Sequence, residues 1–159
     1  MAIEGYMQVR AVGGSLEVQP PPRGELSLDL SQLTSGNAVY DAELARRLDL
    51  RSYPRSTIVL GTASRLPGPC RYSVRGELTL HGVTRVLDGA VSALLGDDGT
   101  WSVSGETVFD IRDFQVETPS LLMLRIFPDV KVTLKVALRA GAAGPGAVGG
   151  AGAGAVPAR

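Results

Sequence analysis

Apolar and polar residues alternate along much of the chain, and the clearest alternation runs through residues 71–89. Side chains of a β-strand point in turn to the two faces of a sheet, so a period of two predicts one apolar and one polar face. The apolar positions are Tyr72, Val74, Gly76, Leu78 and Leu80. Gly82 permits the positive φ of a tight turn, after which Val83 resumes an extended pattern. This stretch is therefore predicted to be an antiparallel hairpin.

Shorter segments on both sides of the hairpin, most of them alternating and residues 86–95 partly buried, predict the remaining strands. They cover residues 2–11, 16–18, 25–30, 57–63, 86–95, 101–111 and 130–138. Within residues 101–111, Gly105 is predicted to mark a bulge or bend. Seven or eight strands separated by Gly- and Pro-rich turns favour an antiparallel barrel or a sandwich.

One segment departs from the two-residue period. In residues 41–50, Leu44 and Leu48 lie four positions apart and would share one face of a helix. Asp41 is predicted to cap the start of this helix, because a carboxylate accepts hydrogen bonds from the free N–H groups there. The residue before Pro54 must be extended, so the helix ends before it. We expect one short amphipathic helix.

Length and composition divide the chain into a domain and a tail. The 159 residues suit one domain rather than two. Residues 140–159 contain only Ala, Gly, Pro, Val and a final Arg, which cannot bury enough apolar surface to offset the entropy of ordering. The sequence predicts a β-barrel domain over residues 1–139 and a disordered Ala/Gly-rich tail over residues 140–159.

The net charge and the length of the apolar runs exclude some classes of protein. Sixteen basic and sixteen acidic residues cancel, so no overall field favours nucleic acid as a partner. We find no signal peptide and no apolar run near the roughly 20 residues of a transmembrane helix. As written, the chain is expected to be cytoplasmic; with a longer natural N-terminus it would be periplasmic or secreted. The single Cys70 excludes an intramolecular disulfide.

Three segments of the chain resemble the bacterial YceI-like family of lipocalin-like, polyisoprenoid-binding proteins. The segments are SGNAVYDAELARRLDLRSYP at residues 35–54, GELTLHGVTR at residues 76–85, and FDIRDF at residues 109–114 with VKVTLKVAL at residues 130–138. The second segment is the most specific of the three. Their order and spacing also agree with the family.

The resemblance implies a lipocalin-like antiparallel barrel whose interior holds a long isoprenoid or other amphiphilic lipid. It implies neither catalysis nor a cofactor. The chain departs from the family at Glu43, where members commonly have His, and at Gln115, where they commonly have Gly. Members also usually begin with a further strand, which is missing from the start of this sequence.

The apolar positions of the strands supply candidates for lipid-binding residues. Each CH₂ that leaves water gains about 0.8 kcal/mol, so an apolar wall can hold a long chain without directional contacts. The candidates are Leu28, Leu30, Ile58, Tyr72, Val74, Leu78, Trp101, Val103, Phe109, Leu121, Met123 and Phe127. The alternative for each is that it fills the interior of a solidly packed barrel.

Few polar residues are candidates for catalysis, metal binding or head-group binding. His81 is the only histidine, which excludes a metal site built from paired histidines. Its place beside a turn indicates a structural hydrogen bond, and the alternative is a hydrolase in which it activates a nearby hydroxyl. Arg112 is the candidate for binding a phosphate head group, with an ion pair to Asp41, Asp110 or Asp113 as the alternative.

Two non-catalytic functions therefore compete. The first is a carrier for a polyisoprenoid or related lipid. The second is a solid-cored interaction module without a lipid ligand, which would take a partner strand at the edge left unpaired near the N-terminus. A homodimer also remains open. A carrier needs a cavity on the order of several hundred Å³, whereas the module would be packed to crystal-like density.

Overall fold

The fold was obtained as a computed structural model that describes residues 3–117, 120–121, 124–125, 129–139 and 153–157, with side chains for residues 5–117 and 129–138. The strands are β1 (Ile3–Gln8), β2 (Ala11–Val12), β3 (Ser15–Leu16), β4 (Arg23–Asp29), β5 (Arg55–Arg65), β6 (Arg71–Leu80), β7 (Val83–Leu95), β8 (Thr100–Asp110), β9 (Ser120–Leu121), β10 (Leu124–Arg125), β11 (Asp129–Arg139) and β12 (Ala153–Pro157). The helices are α1 (Ala38–Arg47) and two 3₁₀ helices, Leu30–Gln32 and Ile111–Phe114.

Eight strands form one sheet in the order β1-β4-β5-β6-β7-β8-β11-β12, and each neighbouring pair is antiparallel. The sheet curls strongly. Leu26 and Leu28 of β4 pack against Val136 of β11, although four strands lie between β4 and β11 in the sheet. This arrangement is a curled half-barrel. The predicted lipocalin-like, antiparallel fold with one short helix is confirmed.

A two-residue turn joins β6 to β7. Leu80 pairs with Val83, and between them His81 and Gly82 have φ values of 52° and 74°. Positive φ at both central residues is typical of a type I′ turn, whose twist matches that of the flanking strands. A Cβ atom on Gly82 would lie 2.9 Å from Cε1 of Tyr53, so packing also requires glycine here. The predicted hairpin and its turn glycine are confirmed.

Helix α1 begins earlier than the sequence pattern predicts. Its N-cap is Asn37, whose Oδ1 accepts hydrogen bonds from the backbone N–H groups of Val39 and Tyr40 at 3.0 and 3.1 Å. Asp41 lies inside the first turn, and its carboxylate accepts from the N–H and hydroxyl of Ser35 instead. The prediction that Asp41 caps the helix is therefore wrong. An amide oxygen one turn earlier supplies the cap.

Gly105 does not mark a bulge. Strand β8 pairs with β7 and with β11 through this residue without a shift in register. The register shift lies in β5, between Leu60 and Thr62. Gly105 lies within a regular ladder, where a Cβ atom would approach Cγ1 of Val91 to 3.0 Å.

The tail also differs from its prediction. Residues 153–157 form β12, which pairs with β11 from Val130 to Leu134. An edge strand offers free N–H and C=O groups, and small residues can pair with them through the backbone alone. The remaining residues of the predicted disordered tail, 140–152 and 158–159, lie outside the described residues.

Three clusters of buried apolar side chains lie within the curl. The largest joins Leu44 of α1 and Leu48, the C-cap of α1, to the end of β6 and to the second 3₁₀ helix. A second joins β4 to β11, and a third contains Tyr72, Ala93 and Trp101. Between these clusters the interior of the sheet is not filled by side chains.

Candidate ligand-binding cavity

The concave side of the sheet encloses a cavity of about 260 Å³. Leu44 of α1 and Leu48 at its C-cap lie at one end, close to Leu80 of β6. Leu16 of the short β2–β3 hairpin lies at the other end, packed near Tyr72. Because Leu80 and Tyr72 are eight residues apart on one strand, these ends are separated by roughly 26 Å. The cavity is thus an elongated space along the inside of the sheet.

Most of the predicted lipid-binding residues lie in the wall of this cavity. They are Leu28, Leu30, Ile58, Tyr72, Val74, Leu78, Val103 and Phe109. For all but Leu30, the inward orientation follows from strand parity, because each lies on the apolar face of its strand. Leu30 is buried at the start of the first 3₁₀ helix, directly after β4. The assignment of these side chains to lipid binding stays a prediction.

The other predicted residues are placed elsewhere or are not described. Trp101 packs with Tyr72 and Ala93 at the start of β8 and does not contribute to the wall. Leu121 belongs to β9 but its side chain is not described, and Met123 and Phe127 lie outside the described residues. Arg112 is exposed and donates from Nε and Nη2 to the carboxylate of Asp110, at 3.0 and 2.5 Å. This is the ion pair considered above as the alternative to a phosphate site.

Two parts of the wall were absent from the sequence-based candidates. One is the inward face of β11, formed by Val130, Val132, Leu134, Val136 and Leu138. Their alternation is plain in the sequence, but only the curl of the sheet brings them opposite β4. The other part is the face of α1 that carries Leu44 and Leu48. Burial on a helix face could have identified both residues as candidates.

Three glycines face the interior on neighbouring strands of the sheet. Gly76 of β6, Gly89 of β7 and Gly105 of β8 all contribute to the wall, on three neighbouring strands. They share parity with Val74, Val91 and Val103 in these strands. A Cβ atom would lie 2.6 Å from the backbone oxygen of Val59 at Gly76 and 3.0 Å from Cγ1 of Val91 at Gly105, but at an ordinary 3.4 Å from its nearest neighbour at Gly89. Gly76 and Gly105 therefore permit close packing, and Gly89 is the one of these three that leaves space for a side chain.

Polar atoms buried at the wall are satisfied within the protein. Ser56 is 2% exposed, and its Oγ donates to the carbonyl oxygen of Thr79 at 2.7 Å. Oη of Tyr72 accepts from the backbone N–H of Leu16 at 2.8 Å, which ties the β2–β3 hairpin to β6. The wall thus presents an almost wholly apolar surface to a ligand.

A smaller cavity of about 120 Å³ lies between the first 3₁₀ helix and α1, and it shares Leu30, Leu33, Leu44 and Leu48 with the larger one. Its polar wall includes the Asp41 carboxylate, which accepts hydrogen bonds from Ser35 and Thr34. The Ser35 hydroxyl in particular lowers the pKa of Asp41. These bonds fix the loop that precedes α1.

An ionic network holds the exposed side of α1. Glu43 accepts from Arg46 at 2.7 Å and from Arg47 at 2.8 Å, and Arg47 also contacts Glu117 at 2.6 Å. Hydrogen bonds from Arg46 and then from Arg47 lower the pKa of Glu43 to about 2. The network links the helix to the segment that follows the second 3₁₀ helix.

His81 has structural contacts. Its Nδ1 lies 3.2 Å from the carbonyl oxygen of Phe114, and its ring packs edge-on against Tyr53 with centroids 4.9 Å apart. These contacts tie the β6–β7 turn to the second 3₁₀ helix. Within the described part of the chain, no group of three His, Cys, Asp or Glu side chains could hold a metal ion, and no helix is long and apolar enough to cross a membrane.

An antiparallel sheet curled around an apolar interior defines the protein as a lipocalin-like half-barrel. More specifically, the chain belongs to the YceI-like family, because the sequence model of the YceI-like domain matches residues 3–138. The resemblance noted in the sequence is thereby confirmed.

Two relatives are UPF0312 proteins of Pseudomonas putida, from strains W619 and GB-1. They are 29% and 28% identical to this chain over 123 residues. The matched region covers 70% of this chain and 62% of each relative, so the chain spans less than two thirds of their length.

Solved structures share the fold. The YCEI protein of Campylobacter jejuni superposes with a TM-score of 0.66 at 17% identity, over 89% of this chain and 82% of that protein. BcnA of Burkholderia cenocepacia superposes with a TM-score of 0.61 at 19% identity, over 74% of this chain and 71% of that protein. At these identities the likeness concerns the fold alone.

Proposed function

We propose that this protein is a non-catalytic carrier that holds a polyisoprenoid or related amphiphilic lipid inside the half-barrel. The observation that carries the proposal is the apolar cavity of about 260 Å³ on the concave side of the sheet. Packed protein interiors contain few voids larger than a water molecule. The cavity therefore favours the carrier over a solid-cored interaction module.

The shape and chemistry of the cavity support a slender apolar chain as its occupant. Ligand pockets typically measure about 300–1,000 Å³, and this cavity lies just below that range. Ten buried chain carbons would contribute roughly 8 kcal/mol, before the cost of association is subtracted. An apolar chain thus needs no directional contact with this wall to bind.

The polar groups near the cavity support a role without catalysis. Ser56 uses its proton in a hydrogen bond to Thr79, and His81 is engaged with Phe114 and Tyr53. A nucleophile needs a base within hydrogen-bond reach, and neither residue makes such a pair in these contacts.

Native mass spectrometry of protein expressed in a bacterium tests the proposal. We expect a stoichiometric adduct whose mass, after release under denaturing conditions, matches an isoprenoid or another single-chain lipid. A protein that carries no adduct and also fails to take up added retinol, a C20 isoprenoid alcohol, would contradict the carrier function.

Two matched variants show whether the lipid occupies the cavity. Gly89→Val directs a side chain inward, and its Cβ position has ordinary contacts, 3.4 Å from O of Glu106 and 3.7 Å from Cβ of Thr107. We expect this variant to fold and to lose most of the adduct. Ser104→Val adds a similar side chain on the exposed face of β8 and should keep the adduct. Equal occupancy in both variants would place the lipid elsewhere.

A further inference from the structure

The ladder between β7 and β8 ends partway along both strands. It comprises six residue pairs, from Leu95 with Trp101 to Ala90 with Glu106. If the register continued, Gly89 would face Thr107 and Asp88 would face Val108. Instead, among the described residues, residues 83–89 pair only with β6, and residues 107–110 pair only with β11. We call the gap between residues 83–89 and 107–110 the β7–β8 window.

One side-chain contact crosses the window, and another lies at its far end. The hydroxyl of Thr107 donates to the carbonyl oxygen of Asp88 at 3.0 Å, across the position where ladder bonds would otherwise continue. At the far end, His81 contacts the carbonyl oxygen of Phe114. Opening the gap beside Thr107 requires the loss of this side-chain hydrogen bond, whereas parting a complete strand pair would break several ladder bonds.

Part of the cavity wall lies beside this window. Among the described residues of the wall, four are exposed, namely Glu77, Asp88, Ala90 and Glu106. Asp88 and Ala90 lie on β7 at the end of the ladder, and Glu106 lies opposite on β8. Glu77 pairs with Val86, which borders the window. The remaining residues of the wall are buried or half-buried.

We infer that the β7–β8 window is the passage through which a lipid enters and leaves the cavity, an inference that rests on the proposed carrier function. The competing passage is the end covered by the β2–β3 hairpin. Leu16, Glu17 and Val18 contribute half-buried wall there, but the Leu16 N–H is bonded to Tyr72. The two passages differ in which residues control the rate of exchange.

A reversible metal clip tests the passage. Asp88 and Val108 are both exposed on the outer surface, and they face each other across the window by register. In the double variant Asp88→His, Val108→His, zinc bound by the two imidazoles would hold the strands together. Release of retinol, followed by its fluorescence after dilution, is expected to slow at least tenfold when zinc is added and to recover with a chelator.

The control clip lies across an intact ladder. Thr79 and Thr84 pair on the outer surface of β6 and β7, with their hydroxyl oxygens 2.8 Å apart. Zinc should leave retinol release unchanged in the variant Thr79→His, Thr84→His. If zinc binds the window variant, as measured by calorimetry, and release is unchanged, the inference is overturned.

A second variant gives an independent answer if the window clip does not bind zinc. Thr107→Val keeps the shape of the side chain and removes its hydrogen bond to Asp88. We expect retinol to associate and dissociate about fivefold faster, the change for one ordinary hydrogen bond, with little change in affinity. The matched control is Thr62→Val on the exposed face of β5, which should match the wild type.

The outcomes of these experiments test the passage at the window separately from the carrier function. If retinol binds and Thr107→Val leaves its exchange rate unchanged, the passage is not at the window, although the carrier function stands. Faster exchange in Tyr72→Phe, without an effect of Thr107→Val, would assign the passage to the hairpin end. If retinol binds neither the wild type nor the variants, the carrier function itself fails.

Discussion

Glycines on the inner face of the sheet differ in what a side chain would meet. A Cβ on Gly76 would lie 2.6 Å from the backbone oxygen of Val59, a distance that real Cβ atoms do not show. A Cβ on Gly89 would meet its nearest neighbour at an ordinary 3.4 Å. The first glycine is thus required by the approach of two strands, and the second only leaves space.

This difference predicts opposite effects for the same substitution. Gly89→Ala should stabilise the fold by about 0.5–1 kcal/mol, because alanine loses less backbone entropy than glycine. Gly76→Ala should destabilise it, because the neighbouring backbone must shift. Urea unfolding of both variants measures the two changes. Destabilisation of similar size in both would show that Gly89 is as closely packed as Gly76.

The two faces of β6 give a second prediction at single residues. Leu78 is 8% exposed and lies in the cavity wall, whereas the Arg75 side chain is 63% exposed. Leu78→Arg buries an unpaired charge and is expected to abolish retinol uptake or folding. Arg75→Glu should be mild, although it removes a surface ion pair with Asp88. Circular dichroism and retinol titration of both proteins would refute the assigned faces if the effects are equal.

The α-helix and its ionic network carry a prediction about pH. The pKa of Glu43 is about 2 in the folded protein, below its usual value of 4.5. The ionised carboxylate therefore stabilises the fold above about pH 4.5. That contribution declines as the pH falls from 4.5 towards 2, because the unfolded chain takes up the proton first.

Glu43→Gln should flatten this dependence. We expect the variant to be less stable than the wild type at pH 7, with the two stabilities converging as the pH approaches 2. Urea midpoints across this range measure the effect. The control is Glu25→Gln, which removes an exposed charge from β4, outside this network. Parallel curves for Glu43→Gln and the wild type would contradict the role of the network.

For the whole molecule, occupancy of the cavity should appear as thermal stability. A ligand that binds only the folded state adds about 2.7 kcal/mol when its free concentration is one hundred times Kd. For a domain of this size, such a gain raises Tm by roughly 5–10 °C. Calorimetry with increasing retinol should show this rise in the wild type and little rise in Gly89→Val. A Tm that is independent of retinol would contradict binding to the folded state.

The features that sequence predicts well are those that depend on neighbouring residues. Alternation in residues 71–80 places Leu78 inward whatever the rest of the sheet does, and Gly82 requires its turn locally. The contact between β4 and β11 depends on the curl of the whole sheet, so the inner face of β11 was not among the predicted candidates. The choice of Asn37 over Asp41 as the cap likewise depends on the course of the preceding loop.

The cavity and the β7–β8 window could not be predicted from the sequence for a related reason. Gly105 in an alternating strand is compatible with a bulge, a bend or close packing within a regular ladder, and only its neighbours across the sheet decide among them. Residues 86–95 and 101–111 are predicted to be strands from their own sequence, whether or not they pair along their full length. The end of the β7–β8 ladder therefore leaves no mark in the pattern.

The unfilled interior of the half-barrel also bears on how long the protein persists in a cell. On the proposed function, an occupied molecule unfolds less often than an empty one, and proteases cut the unfolded state. Copies that find no lipid would be degraded first. The steady amount of this protein would then follow the supply of its lipid, even at a constant rate of synthesis.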